Sequence, residues 1–345
     1  MSKIVVLGLD NLSKGQFDAI VPAIAWNLNG HPNVSGGGST QVSISDDVAA
    51  ERWMDFGRMV IVSPADLPAY VGMIDTPWSA TSPVQVTIYD PEYLLNLRVS
   101  ESSPLKLSGN VENILSQIVD IANSQEDLFL RMGVVQDIDP TYREETLDGR
   151  TLWEQVKALL LRSGTEMKFR PEQGADGRWY VYLDIARSMG IDTEFLLSDG
   201  DQGNMKIRSA VVRNEIVNRM IGISSQSSVD SRLKTDPLES ASSVALYRLR
   251  NRFVQFRDVT DISTLQRNTQ NSLNASSMPY LEMAVDVLNI DHAFLNLRLG
   301  NRVIAHASKI ILNGGVRGWK GSARITKMAF SESTKSVTMT LIGDL

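Results

Sequence analysis

Apolar and polar residues alternate with a period of two over much of this chain, and the alternation is strongest near its two ends. From Phe56 to Asp90 the sequence runs "FGRMVIVSPADLPAYVGMIDTPWSATSPVQVTIYD". This predicts three strands, RMVIV, AYVGMID and PVQVTIYD, separated by proline-bearing turns. From Leu299 to Gly343 a similar phrase returns, "LGNRVIAHASKIILNGGVRGWKGSARITKMAFSESTKSVTMTLIG". Each phrase has a glycine before an alternating strand, a glycine-marked second strand, and a closing Val-x-Ile or Val-x-Met-x-Leu ladder. The pair reads either as two related modules or as the common look of any two β-meanders.

Between these phrases the period changes. Val42 and Ile44 alternate with serines in STQVSISD, after the loop SGGG at Ser35 to Gly38, and AWNLNGHPNV reads as a further β segment. DVAAERWMDFG predicts a short amphipathic helix ending at Gly57, and PEYLLNLR one or two helical turns carrying Leu94, Leu95 and Arg98. NVENILSQIVDIANS places Ile114, Leu115, Ile118, Ile121 and Ala122 on one helical face. TLWEQVKALLLRSG opens with a capping box, Thr151 to Glu154, and stops at Gly164. A hairpin with GADG at its tip follows, then further strands up to Ser224. DPLES, Asp236 to Ser240, has the Asp, Pro and Glu spacing of a helix start. A second helix is expected over DISTLQRNTQNSLNAS, with Ile262, Leu265, Thr269 and Leu273 on one stripe, before the strand YLEMAVDVLN.

The order is thus β-rich, mixed, helical, β-rich. It predicts an α+β, β-rich fold: two small related β-barrel-like domains with an inserted helix/hairpin mixed domain. The expected boundaries are 1–105 for the first barrel-like domain and 106–205 for the insertion. Residues 206–285 are expected to supply strands and a helical connection, and 286–345 the strands completing the second barrel-like domain.

At 345 residues the chain has room for roughly two domains with real cores. A formal net charge of −6 argues against a nucleic-acid clamp, which needs a basic face, though not against a passage that nucleic acid traverses without sticking. The absence of cysteine excludes disulfides, thiolate chemistry and Cys-based metal sites. No apolar run approaches the roughly eighteen residues of a membrane helix. The start, MSKIVVLGLDNLSKG, lacks a secretory h-region and cleavage site. These features lead us to expect a soluble protein made in a cytoplasm, with a later life in an assembled particle left open.

No catalytic constellation emerges. The three histidines, His31, His292 and His306, have no metal-binding spacing, and His306 reads as a strand residue. SDGDQGN, with Asp199 and Asp201, has a faint calcium-loop look but lacks the sixth-position glycine and twelfth-position glutamate, so it reads as a polar hairpin turn. The acidic pairs Asp46/Asp47 and Glu144/Glu145 are adjacent residues, which point to opposite faces of a strand and so read as caps and loops. SGGG precedes a strand and lacks the helix terminus of a phosphate cradle. The expectation is no catalytic residue, no cofactor and no metal. An enzyme on a β-scaffold would have to bring Glu144, Glu145 or Asp199 together, and a receptor-binding module would expose Trp78, Trp179 or Trp319.

YRLRNRFVQFR carries Arg248, Arg250, Arg252 and Arg257 with aromatic residues interleaved. It reads either as a nucleic-acid strip or as a ladder facing another subunit. The alternation and the enrichment of arginine at interfaces favour the second.

The layout as a whole resembles the tail hub proteins of tailed bacteriophages, related to the baseplate hub of contractile phages and the hub part of type VI secretion spike proteins. Four places carry the likeness: GRMVIV…YVGMID…VQVTIYDPEYLLNLR; TLWEQVKALLLRSGTEMKFRPEQGADGRWYVYLDI; SVALYRLRNRFVQFRDVTDISTLQRNTQNSLNASSMPYLEMAVDV; and the closing LRLGNRVIAHA…SARITKMAFSESTKSVTMTLIG. They occur in the family's order across most of residues 20–343. Where the third stretch usually has glycine after its tyrosine, this chain has Arg248 after Tyr247, so the turn there is expected to differ.

The resemblance implies two similar barrels per subunit, so that a homotrimer makes a ring of pseudo-sixfold symmetry. Such a ring would be a structural, non-enzymatic tail-tip hub in the virion, made in the host cytoplasm. It would join the tail tube, the distal tail protein, the tape measure protein and tail fibre or tip proteins around the channel through which DNA leaves. Opening would need a bistable interface biased by a few kcal/mol. The alternatives are a hexameric distal tail protein or the hub of a related contractile injection machine. No appended peptidase, lysozyme or fibre region is expected after the last ladder, so cell-wall cutting or receptor binding would fall to partners.

Overall fold

The computed structural model of the chain describes residues 2–19, 21, 24–28, 39–44, 57–64, 68–75, 84–101, 104–141, 143–147, 149–201, 203–224, 232–256, 259, 261–288, 297–312, 315–331 and 336–345. The expected helix at DVAAERWMDFG, Trp78, His31, His292, the SGGG loop, Asp46/Asp47 and Arg257 all lie outside the described residues.

The first sheet is six-stranded and antiparallel. It is built from β1 (Ser2–Leu7), β2 (Ser13–Ala19), β4 (Ser39–Ile44), β5 (Met59–Ser63), β6 (Tyr70–Ile74) and β7 (Val84–Tyr89), in the order β2-β1-β5-β6-β7-β4. Its strands contain runs such as IVVL and MVIV because both faces are covered. Ile4, Val6, Val60, Val62, Val86 and Ile88 pack on the inner face. Val5, Leu7, Met59, Ile61, Val71 and Met73 join a larger core on the outer face. A strand buried on both sides has no reason to alternate.

That outer cover is the inserted region, formed by helices α1 (Glu92–Asn96), α2 (Val111–Gln125) and α3 (Leu152–Ser163). With them go the two-stranded ladder of β8 (Leu105–Gly109) with β10 (Arg143–Leu147) and the sheet of β11 (Glu166–Gln173), β12 (Trp179–Ala186) and β9 (Leu130–Gln136). Helix α2 buries Ile114, Leu115, Ile118 and Ala122. Helix α3 has both halves of the Thr151–Glu154 capping box and ends on Gly164 at φ +64°. β11 pairs antiparallel with β12 about the GADG turn, and β9 adds to β12 in parallel.

The second large sheet follows the order β13-β19-β20-β21-β18-β14. Its strands are β13 (Asp192–Ser198), β14 (Met205–Arg213), β18 (Tyr280–Val287), β19 (Arg302–Ile311), β20 (Arg317–Ser331) and β21 (Ser336–Asp344). Burial alternates through β18 and β21, and through β19 as far as Ala307, because one face packs the core and the other is turned away from it. A short strand from the N-terminal region, β3 (Ile24–Asn27), pairs with Lys327 to Phe330 of β20 and stitches the chain's beginning to its end.

The two large sheets share one strand order. Ranked by position along the chain, the strands of each read 1-4-5-6-3-2 around a ring whose free edges approach one another, β2 near β4 and β13 near β14. Among the described residues no hydrogen-bond ladder closes either ring. One strand differs in direction: β1 runs antiparallel to β5, whereas β13 runs parallel to β19.

A clamp joins the insertion to the second sheet. Arg324 of β20 grips Glu166 of β11 with both terminal nitrogens, and also donates to the carbonyls of Met189 at 2.6 Å and Gly300 at 3.1 Å. Glu166 accepts from the Met189 N–H at 2.7 Å. Beside it Gly190, at φ +86°, lies against Gly300 so closely that a methyl group would sit 2.1 Å from the Gly300 carbonyl carbon. Only glycine fits there.

Residues 206–285 also hold a small sheet of β16 (Leu238–Glu239), β15 (Arg219–Ser224) and β17 (Asn251–Phe256), with helices α4 (Ala241–Tyr247) and α5 (Ile262–Ser276). Here the expected helix start at Asp236–Ser240 is corrected. Leu238 and Glu239 pair with Met220 and Arg219 instead, Leu238 packs on Val217, Met220 and Leu273, and α4 begins at Ala241. The stripe of α5 also shifts. Leu265, Thr269 and Leu273 are buried as expected, but Ile262 is exposed and Asn268 is buried in its place.

Candidate subunit-contact surface

The arginine ladder lies where α4 hands the chain to β17. Asn218, fully buried just before β15, organises this turn. Its side chain donates to the Arg248 carbonyl at 2.8 Å and accepts from the Arg250 N–H at 2.7 Å. The backbone N–H groups of Asn218 and Arg219 both donate to the Arg250 carbonyl, at 3.1 and 3.2 Å. Arg248 itself ends α4 at φ +62°, ψ 165°, with its N–H on the Val244 carbonyl. That backbone conformation is one glycine adopts freely and arginine does not. The turn expected to change on replacing glycine therefore keeps a glycine-like φ, held by Asn218.

From this turn Arg248, Arg250 and Arg252 all project as exposed side chains. Leu246, Leu249 and Phe253 are exposed beside them, and the Lys234 ammonium lies 5.7 Å from the centre of the Phe253 ring. β17 pairs with β15 on one side only, so it is an edge strand among the described residues. Large apolar side chains, arginines and an open strand edge in one patch are the composition and geometry of a protein-binding surface. Tyr247 and Phe256 do not belong to it: Tyr247 is half-buried, and Phe256 packs inward on Val259 and Leu265. Asn218 had no sequence signal beyond being a polar residue between two strands.

The other candidate residues are kept apart by the fold. Glu145 is ion-paired with Arg162 of α3, and Glu144 points the other way into solvent. Asp199 sits in another sheet, at the β13–β14 turn, where it accepts from the Ser308 N–H at 2.6 Å, the Ser308 hydroxyl at 2.7 Å and the Lys309 N–H at 3.0 Å. Burial pushes the Asp199 carboxyl up, but these hydrogen bonds outweigh it and hold the group below its usual range. It is a structural clasp between the turn and β19. His306 is exposed on β19. Trp319 is buried against Gly321 and Gly343 and donates to the Asp344 carbonyl, while Trp179 is half-buried against the large core. Among the described residues no three histidine, aspartate or glutamate side chains converge as metal ligands.

No family model matches this sequence. No curated protein matches it either. Solved structures do. The prophage MuSo2 43 kDa tail protein from Shewanella oneidensis superposes with a TM-score of 0.60 at 14% identity, over 99% of this chain and 98% of that one. The prophage tail protein gp18 from Listeria monocytogenes EGD-e gives 0.60 at 13% identity, over 99% and 94%. A tail protein from Neisseria meningitidis MC58 gives 0.56 at 11% identity, over 99% and 96%. From end to end, this chain has the β-rich α+β fold of these tail proteins.

Proposed function

We propose that the protein is a structural subunit of a phage tail tip: a hub that trimerises into a ring around the channel for the tape measure and the genome. The observation that carries this reading is the repeated cyclic strand order of the two large sheets within one chain. Two equivalent sheets per subunit let three subunits present six similar elements, which is what a threefold hub needs in order to sit on a sixfold tube. The full-length likeness to phage tail proteins supports the setting, a virion tail reached after synthesis in the host. In this reading residues 1–105 hold the first ring-forming module and 286–345 complete the second, to which 106–205 and 206–285, otherwise an insertion and a connecting region, lend β13, β14 and β18. The partners are the distal tail protein, the tape measure protein and fibre or tip proteins. The hub acts mechanically and has no enzymatic activity, in keeping with a Glu145 spent on Arg162 and an Asp199 spent on Ser308 and Lys309.

Heterologous contacts close the ring, and the edge of β17 with Arg248, Arg250 and Arg252 forms one side of each contact. Light scattering over a range of concentrations tests this. The expected mass is three times the 38.1 kDa of the chain, and replacing Arg250 and Arg252 together by glutamate shifts the protein toward monomer. A hexamer would place the chain at the sixfold distal-tail position instead. A strict monomer at the highest concentration reached counts against the ring.

A further inference from the structure

A crevice of about 280 Å³ opens where three parts of the molecule meet, and a narrower arm of about 40 Å³ continues it. Its walls are Trp26 of β3, Met328 of β20, Pro68 and Ala69 before β6, Phe169 of β11 and Leu299 before β19. Small-molecule and peptide-end sites favour such junctions, with apolar walls and a few polar groups that fix orientation.

The polar groups here are unevenly balanced. The indole N–H of Trp26 is covered from solvent and has no acceptor among the described residues. Lys168 is half-buried and lines both arms, and its side chain makes no ion pair or hydrogen bond among the described residues. Arg170 is already engaged, with Asp184 at 2.9 Å and with Glu172, and lies over the Tyr182 ring. Arg298 brings a second guanidinium to the rim. Asp90 is the carboxylate that lines the narrow arm. The wide arm therefore offers positive charge and a spare N–H donor over an apolar floor.

The backbone adds a direction. Four consecutive residues of β11, Lys168 to Pro171, line the crevice, which happens when a strand presents its edge and not a face. β11 is the outer strand of its sheet, and Pro171 suits an edge position. An open edge, an apolar slot and an unbalanced cation together match a polypeptide end: backbone beside the edge, side chain in the slot, terminal carboxylate at the cation.

We propose that this crevice receives the C-terminal residue of another polypeptide. A large apolar or aromatic side chain lies between Trp26 and Phe169, and its carboxylate meets Lys168 with Arg298 at the rim. The inference goes beyond the ring reading and stands or falls independently of it.

Isothermal titration with the tetrapeptide Gly-Gly-Ala-Phe, its C-terminal amide and N-acetylphenylalanine tests it. The free-acid peptide binds, and the amide binds about tenfold more weakly or not at all. Lys168→Met, which keeps the apolar stem, produces a similar loss, and Trp26→Phe a smaller one, with melting temperatures unchanged for both. Absence of binding by the free acid, equal binding of acid and amide, or full binding by Lys168→Met overturns the proposal. N-acetylphenylalanine binding as tightly as the peptide overturns the polypeptide assignment in favour of a free apolar acid.

Discussion

Arg248 holds a backbone conformation that its own side chain disfavours, and Asn218 is what keeps it there. Arg248→Gly should remove that strain and raise stability by about 1 kcal/mol, in contrast to an ordinary Gly substitution at a helix end. Urea unfolding monitored by tryptophan fluorescence would show it as a higher midpoint at unchanged slope. A lower midpoint would mean that the guanidinium contributes more to the fold than its exposure implies. The conformation itself was hidden in the sequence, since nothing in YRLRNR marks a positive φ. The exposure of the arginines was legible, because polar residues at alternating positions beside an edge have few other places to go. Asn218 was not legible: its role arises only when β15 and β17 are brought side by side.

At the scale of elements, the helices were read most accurately where chemistry fixes an end. Thr151 with Glu154 and the Gly164 stop are local signals, and nothing distant competes with them. DPLES carries an equally good cap pattern, yet the backbone of Leu238 and Glu239 is taken by β15, so a tertiary pairing overrode a local preference. β1 had no alternation to reveal it, because the core over the outer face of the first sheet removes the polar half of the pattern, and β2 is a polar edge stretch whose one large apolar residue is Phe17. The Glu166–Arg324 clamp was equally invisible, since its partners lie 158 residues apart. Its loss is measurable. Arg324→Met leaves Glu166 buried without a counter-charge and should cost about 3–5 kcal/mol, whereas replacing both partners by apolar residues should cost much less. Chemical denaturation of the single and double variants decides between these outcomes.

The molecule as a whole should be acid-sensitive in a specific way. Asp139, Asp199, Asp261 and Asp286 all titrate below their usual value of 3.8. In each, burial pushes the group up and hydrogen bonds, with nearby cations for Asp139, Asp199 and Asp286, more than reverse it. The unfolded chain then takes up protons at higher pH than the folded one. The stability these groups supply is complete well above pH 3.8 and is lost as the pH falls through their lowered folded values. Melting temperature should therefore be flat above about pH 5 and drop steeply below pH 4. Asp199→Asn should reduce both the plateau and the steepness of the drop, and an unchanged slope would show that Asp199 is not among the responsible groups.

β3 gives the molecule an order of assembly in time. Asn27 pairs with Lys327, so β3 waits for β20, made far later, before its ladder can form. At translation rates of about 5–20 residues per second that interval is roughly 15–60 s. Throughout it the nascent chain carries an unpaired strand with a tryptophan on it, and once β7 is made that strand lies beside a first sheet with all its strands present. The second sheet can bury its core only once β20 and β21 have been made. A chain stopped short of β20 would then be marked as incomplete by its own beginning, left with an open strand that quality control or a neighbouring copy can seize.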